Sequence, residues 1–428
     1  MTAKNAISQK SDKFRSIIVS TFVMVFTRGG IFSCILITSH IANASDFAVF
    51  SSIYWFSTSL GQVIGYYLIT ASIAMQASGR PGGTYNYTYL KQIISHIQKS
   101  ICAFIFIFLT LYYMNPIILL QNEYNEFQAS LIIFWSISIS LELLAIYLAN
   151  SLNLLKTILY TSLAQSLMLS ASPFFYLISS DYWMAAVVAL SFVSGLAFFI
   201  AALRRAPKVE CLTGMPPESS RSPTYGAMNI LTVLMGSCLT IIFTQRLVAD
   251  GTEGLLSVAE FTVALQIVSA LSFLPQILNN EMVRRIYLSN KDTEKFKILI
   301  YSCIAAAIFV SFISIPFINF SKYIFNVYGV EVKNSNYLAI LVIFTILFQA
   351  LSLTVSTYLQ INMNAFAIFL STAFAFFCSI AFFFFEFRTS ASHILISLVL
   401  FHCIRSAGLA AHLIHKSVKT FEFSSKER

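Results

Sequence analysis

Charge is scarce in this chain. Of its 428 residues only 11% are Asp, Glu, Lys or Arg, whereas a soluble globular domain carries about 25%. Acid is scarcer than base, at 18 Asp and Glu against 27 Lys and Arg. The aspartates Asp12, Asp46, Asp181, Asp250 and Asp292 stand apart from one another, so no local carboxylate pair is offered to hold a divalent metal on a nucleotide sugar. There is no P-loop, no His-Glu-x-x-His and no Gly-x-Ser-x-Gly, which leaves ATP-driven pumping, zinc proteolysis and the common serine hydrolases without their machinery. No metal, cofactor or catalytic residue is expected. Any energy source must be an ion gradient, the membrane potential or the substrate's own gradient.

What the chain has in abundance is apolar residues, 57% of the total. They fall into blocks of about 20, the length that crosses a bilayer as a helix. The blocks lie near 17-39, 47-71, 100-121, 128-150, 157-179 and 182-203, and again near 225-248, 257-281, 298-320, 337-360, 364-385 and 391-415. The expected fold is therefore an all-α polytopic membrane protein of about 12 helices. The first block is a full span with Arg28 in its middle and no Ala-x-Ala-like exit, so it reads as a retained helix and not as a cleavable signal. Cys34, Cys102, Cys238, Cys303, Cys378 and Cys403 fall in spans and Cys211 in an inside loop, which suits small packing residues and leaves no extracytoplasmic pair for a disulfide.

With the N-terminus in the cytoplasm, the outside loops hold only Lys322, Lys333 and Arg388 among the basic residues. Arg28, Arg246 and Arg405 lie inside spans, and every other Lys and Arg faces the cytoplasm. The positive-inside rule thus places both termini in the cytoplasm. The net charge of +9 follows from topology and contact with anionic lipid, with no role for nucleic acid. The longest inside connection, 204-224, collects Pro207, Pro216, Pro217 and Pro223 with Ser219, Ser220 and Ser222, a linker composition. It divides the chain into two six-helix bundles, 1-203 and 225-428. Ile35-Leu36-Ile37-Thr38-Ser39-His40-Ile41 resembles Ile241-Ile242-Phe243-Thr244-Gln245-Arg246-Leu247, and each is followed by a short acidic turn. An even number of spans per half makes the two halves a parallel, pseudo-symmetric repeat about an axis normal to the membrane.

Ionisable groups deep in a span are candidates for function. Arg28 lies roughly 18 Å from the inner face, Arg405 roughly 15 Å and Glu142 roughly 11 Å, at 1.5 Å per residue. His402 precedes Arg405 by three residues and shares its helix face. Pairing of Arg28 or Arg405 with Glu142 merely to neutralise buried charge is one reading. The other is that two arginines and a histidine against one carboxylate leave positive charge for an anionic ligand, whose phosphate oxygens match a forked guanidinium. Arg246 and Glu260 lie near the outer ends of their spans, where snorkelling or mutual pairing explains them as well as function does. The eighth span carries Thr262, Gln266, Ser269, Gln276 and Asn280 close to one face, the pattern of a helix lining a polar cavity or bonding to a neighbour. Pro116, Pro173, Pro275 and Pro316 interrupt the third, fifth, eighth and ninth spans, and Gly29-Gly30 follows Arg28. The tenth and eleventh spans carry no charge before Glu386 and read as lipid-facing scaffold.

Two segments carry a family resemblance. One is Ile41-Ala42-Asn43-Ala44-Ser45-Asp46-Phe47-Ala48-Val49-Phe50. The other runs from Gln245 to Pro275, with Arg246-Leu247-Val248-Ala249-Asp250, Phe261-Thr262-Val263-Ala264-Leu265-Gln266 and Leu274-Pro275. In these and in topology the chain resembles the O-antigen repeat-unit flippases, bacterial polysaccharide exporters of the multidrug/oligosaccharidyl-lipid/polysaccharide superfamily. It departs from them in having Asn279-Asn280-Glu281 where a proline often closes the eighth span. The resemblance implies a multi-pass protein of the bacterial inner membrane that moves an undecaprenyl-pyrophosphate-linked oligosaccharide from the cytoplasmic to the periplasmic leaflet by alternating access. It also implies a polysaccharide polymerase and a chain-length regulator as partners. On that reading Arg28 and Arg405 attract pyrophosphate, Glu142 or His402 supplies the coupling charge, and Thr262, Gln266, Ser269, Gln276 and Asn280 line the sugar cavity. A cation-coupled multidrug antiporter fits the topology but not a surplus of buried arginine. An O-antigen polymerase needs a larger outside loop than the longest here, about Ser321 to Asn336.

Overall fold

The computed structural model describes residues 22-23, 25-26, 28-77, 126-151, 155-205, 222-248, 251-289, 292-328, 332, 334-362, 364-385 and 390-426. The third span with Pro116 and Cys102, and linker residues 206-221 with Cys211, lie outside them. All the regular structure in the described residues is helical, as lipid requires of a chain that must satisfy its backbone groups within each segment. Six helices are long and apolar enough to cross a membrane: Glu126–Ile146, Trp183–Ala201, Thr293–Asn319, Ser335–Ile361, Ala365–Phe385 and Ala391–His415. Each coincides with an expected span to within a few residues.

The chain divides into two compact units, Met1–Ser237 and Cys238–Arg428. The first begins with helix α1 (28-41). Asn43 follows it, and its Oδ1 accepts from the Asp46 amide at 2.7 Å, an N-cap that starts α2 (Ala44–Ala77). Then come α3 (Glu126–Ser151), α4 (Leu155–Ala171) and α5 (Trp183–Arg205). Pro173 cannot donate to an i−4 carbonyl, so the fifth span leaves the α-helix at Ala171 and finishes as a 3-10 turn, Ser172–Leu177.

In this unit α3 packs between α2 and α5, and the contacts are made by small residues. Gly61 and Gly65 on α2 are four apart and face α3. A Cβ at Gly61 would lie 2.8 Å from the Ser136 carbonyl oxygen, and one at Gly195 on α5 would lie 3.0 Å from that of Ser138. Ser140 Oγ donates to the Gly61 carbonyl at 3.0 Å, and Ser138 and Ser191 share a hydroxyl contact of 2.9 Å. Lipid gives helices no hydrophobic reason to associate, so close backbone approach and interhelical hydrogen bonds bring α2, α3 and α5 together. Above this seam Phe50, Tyr54, Trp135 and Trp183 stack in contacts of 5.0 to 5.6 Å. Tyr176 closes the outer end by donating to Asp46 Oδ2 at 3.0 Å.

Helix α6 (Ser222–Val248) crosses the boundary between the units. The second unit continues with α7 (Gly251–Leu271), α8 (Phe273–Leu288), α9 (Asp292–Asn319), α10 (Ser321–Val327), α11 (Ser335–Ile361), α12 (Ala365–Phe385) and α13 (Ala391–Lys426). The eighth span is therefore two helices. Ser272 still donates to Val268 and receives from Gln276, but Pro275 cannot donate to Leu271 and the helix breaks there. Pro316, by contrast, stays inside α9.

Helix α11 is the hub of this unit, packing against α7, α8, α9, α10, α12 and α13. Its inner part joins Met282, Ile286, Leu299, Ile368, Leu409 and Leu413 in one aliphatic cluster. This overturns the expectation that the tenth span faces lipid: 61% of its membrane window is buried, against 28% for α12. Lack of charge marks any helix that lipid or protein surrounds, and here Thr345, Ser352, Thr354 and Ser356 turn inward. The eleventh span does face outward, presenting Phe366, Leu370, Phe374 and Phe377. Tyr301, Ile304, Ile308, Phe312 and Ile315 make the same kind of stripe on α9.

Candidate functional site

Each unit carries its own polar centre. In the first, Gly30 brings α1 onto α4 so closely that a Cβ there would lie 2.6 Å from the Ser166 Cα. That approach sets Arg28, two residues earlier, beside the helix that carries Gln165. Gln165 Nε2 donates to Glu142 Oε2 at 2.8 Å, from α4 to α3, and the Arg28 charge also acts on Glu142. Glu142 thus holds a neutral donor and a cation within one bundle, as a membrane-buried carboxylate requires. A hydrogen bond to a charged group contributes about 1.5–3 kcal/mol. The sequence reading missed Gln165; the signal was an unmatched acid in one span with an amide in the next.

In the second unit Arg405, on α13, donates from Nη2 to Ser356 Oγ on α11 at 3.1 Å. One residue on, Ser406 Oγ is 3.0 Å from the Phe348 carbonyl and 2.7 Å from that of His402. His402 lies a turn outward on the same helix, near enough for the Arg405 charge to act on it. Helices α11, α12 and α13 contain no Asp or Glu before Glu422. This centre therefore combines a guanidinium, an imidazole and hydroxyls, where the first is built on a carboxylate. Ser356 was not anticipated, because a serine in an apolar span counts only as tolerated.

The expected stripe is divided by the break at Ser272, with Thr262, Gln266 and Ser269 on α7 and Gln276 and Asn280 on α8. Thr262 and Gln266 are buried, Ser269 and Gln276 half-buried, and the side chain of Asn280 lies outside the described residues. The neighbouring Asn279 makes the contact instead, donating to Thr357 Oγ1 on α11 at 3.1 Å. Thr262 Oγ1 and Gln266 Nε2 are shielded and have no partner among the described residues. An orphaned buried donor or acceptor costs about 1–3 kcal/mol. Threonines elsewhere in these helices, Thr244, Thr354 and Thr372 among them, bond back to their own i−4 carbonyls; Thr262 does not. Arg246 is exposed near the end of α6 and Glu260 half-buried on α7. Among the described residues no group of His, Cys, Asp and Glu is placed to hold a metal ion.

The described helices define an all-α, multi-pass membrane protein, and its fold is like that of several solved membrane transporters. Neither a protein-family model nor a curated protein matches the sequence. Among solved structures it is similar to the lipid II flippase MurJ in an inward closed conformation, with a TM-score of 0.64 and 13% identity over 94% of this chain and 87% of that one. It is also similar to an inward-facing multidrug resistance MATE family transporter of the MOP superfamily (TM-score 0.61, 11% identity, 94% of this chain and 98% of that one). The Vibrio cholerae MATE transporter VcmN matches with a TM-score of 0.61 at 14% identity, over 96% of this chain and 98% of that one.

Proposed function

We propose that the protein flips an undecaprenyl-pyrophosphate-linked O-antigen or polysaccharide repeat unit from the cytoplasmic to the periplasmic leaflet of a bacterial inner membrane, by alternating access. The observation that carries this reading is Arg405. It is a guanidinium in the middle of the last span that donates to a hydroxyl on the hub helix. A cation so placed suits a phosphorylated headgroup that must leave water, and the likeness to a structure named as a lipid II flippase supports a lipid-linked cargo. Arg28 assists in the first unit, and Glu142 or His402 supplies the coupling charge. A polysaccharide polymerase and a chain-length regulator would act on what it delivers.

A cation-coupled multidrug antiporter is the second reading, favoured by Glu142 with Gln165 in the first unit and by the MATE neighbours. The two separate on charge: the flippase reading, unlike the antiporter reading, needs Arg28 and Arg405. Deletion of the gene should abolish surface polysaccharide and leave lipid-linked repeat units on the cytoplasmic leaflet. Arg28→Gln and Arg405→Gln should not rescue it. Unpolymerised single units on the outer surface would identify a polymerase instead. Normal polysaccharide would overturn the flippase reading, and full rescue by both arginine variants would overturn the pyrophosphate assignment.

A further inference from the structure

Helix α2 holds a row of polar atoms that nothing above has used. Ser51, Trp55 and Thr58 follow at spacings of four and three, one face of a helix. Ser51 Oγ, Trp55 Nε1 and Thr58 Oγ1 are all shielded, and none has a partner among the described residues. The row borders the face that packs on α3, which runs through Tyr54, Ser57, Gly61 and Gly65; Thr58 lies at its edge and Trp55 farthest from it. Ser57 Oγ there reaches the Ile132 carbonyl at 3.3 Å. Serines in these helices commonly satisfy themselves by back-bonding, as Ser136 and Ser170 do at 2.6 and 2.8 Å. Ser51 and Thr58 forgo that bond. The second helix of the other unit repeats the arrangement: Thr262, Gln266 and Ser269 stand at the same spacings, with Thr262 Oγ1 and Gln266 Nε2 likewise shielded and unpartnered.

We propose that Ser51, Trp55 and Thr58 form a carbohydrate-contacting row on α2 that bonds sugar hydroxyls when cargo is bound. The proposal rests on the flippase reading and names the part of the cargo these groups meet. Hydroxyls and an indole N–H that have no partner among the described residues gain one from a ligand rich in hydroxyls. A Trp is suited to the task, since its ring covers the apolar face of a sugar while its N–H donates at the edge. Trp55 keeps its ring in place by an edge contact with Tyr54 at 5.1 Å. A cationic drug would find no carboxylate in this row.

The test uses the full-length protein in lipid nanodiscs and two probes: the lipid-linked repeat unit extracted from a deletion strain, and undecaprenyl pyrophosphate without sugar. The triple variant Ser51→Ala, Trp55→Phe, Thr58→Val should bind the glycosylated lipid roughly tenfold to a hundredfold more weakly, the loss of two or three hydrogen bonds. It should bind the bare lipid as the wild type does. Its melting temperature should equal or exceed that of the wild type, because the change deletes orphaned groups. Trp55→Phe alone should give part of the same selective loss. Unchanged affinity of the triple variant for a glycosylated lipid that the wild type prefers, or an equal loss for both lipids, would overturn the row. A wild type that shows no preference for the glycosylated lipid would overturn the flippase reading, and with it the ligand assigned here.

Discussion

The two units solve the same packing problem with different residues. The first draws α2, α3 and α5 together through glycine and serine until backbone meets side chain with no slack, and it neutralises one buried acid with an amide and a cation. The second builds around α11 with aliphatic side chains, and its centre is a guanidinium among hydroxyls. A close-packed seam tolerates no added atom, whereas a seam of side chains can shift. The first unit should therefore be sensitive to volume, and the second to the loss of polar function.

The largest expected effect breaks this comparison if it fails. Gly61→Ala places a methyl against the Ser136 carbonyl and should destabilise the protein by about 2–3 kcal/mol, even after the helix-propensity gain of an alanine. In the second unit the Cβ at Gly408 would lie 3.0 Å from the Ser371 hydroxyl, which can rotate, and 3.2 Å from the Ser371 Cβ, a tightness that a small shift relieves, so Gly408→Ala should cost no more than about 1 kcal/mol. Unfolding in detergent measures both, and equal effects would end the distinction. Next is Glu142→Ala, which strips Gln165 and Arg28 of a shared acceptor and should cost about 2 kcal/mol. Arg405→Gln should leave stability within about 1 kcal/mol while export is lost, a separation read by melting temperature against surface polysaccharide. Asn279→Ala removes the link from α8 to Thr357 and should cost about 1 kcal/mol. Tyr176→Phe, which deletes the outer latch on Asp46, is expected to cost the least, about 0.5–1 kcal/mol.

How far the sequence foretold this molecule follows the same division. Spans were legible because bilayer thickness imposes a length on any apolar run, and α3, α5, α9, α11, α12 and α13 lie where expected. Arg28, Glu142, His402 and Arg405 stood out because charge in lipid is conspicuous. What was illegible was everything carried by small or ambivalent residues. Gly61, Gly65 and Ser136 carry no signal of their own in an apolar span, although they set the distances between helices. Trp55 counted as apolar, which hid the row it belongs to. The stripe of the eighth span was visible as a period, but the period ran straight through Pro275 and so implied one helix where there are two. The tenth span misled for a related reason: an uncharged helix can be covered by lipid or by protein, and only its neighbours decide which.

The break at Ser272 has a consequence for how the protein is made. It leaves Leu256–Leu271 as a short apolar helix, below the length that enters a bilayer readily on its own, and from Val258 to Val268 every residue but Glu260 is buried. Such a segment gains little from lipid and much from α11 and α13, which the ribosome delivers later. Helix α7 is thus expected to insert poorly by itself and to owe its place in the second unit to the later helices α11 and α13.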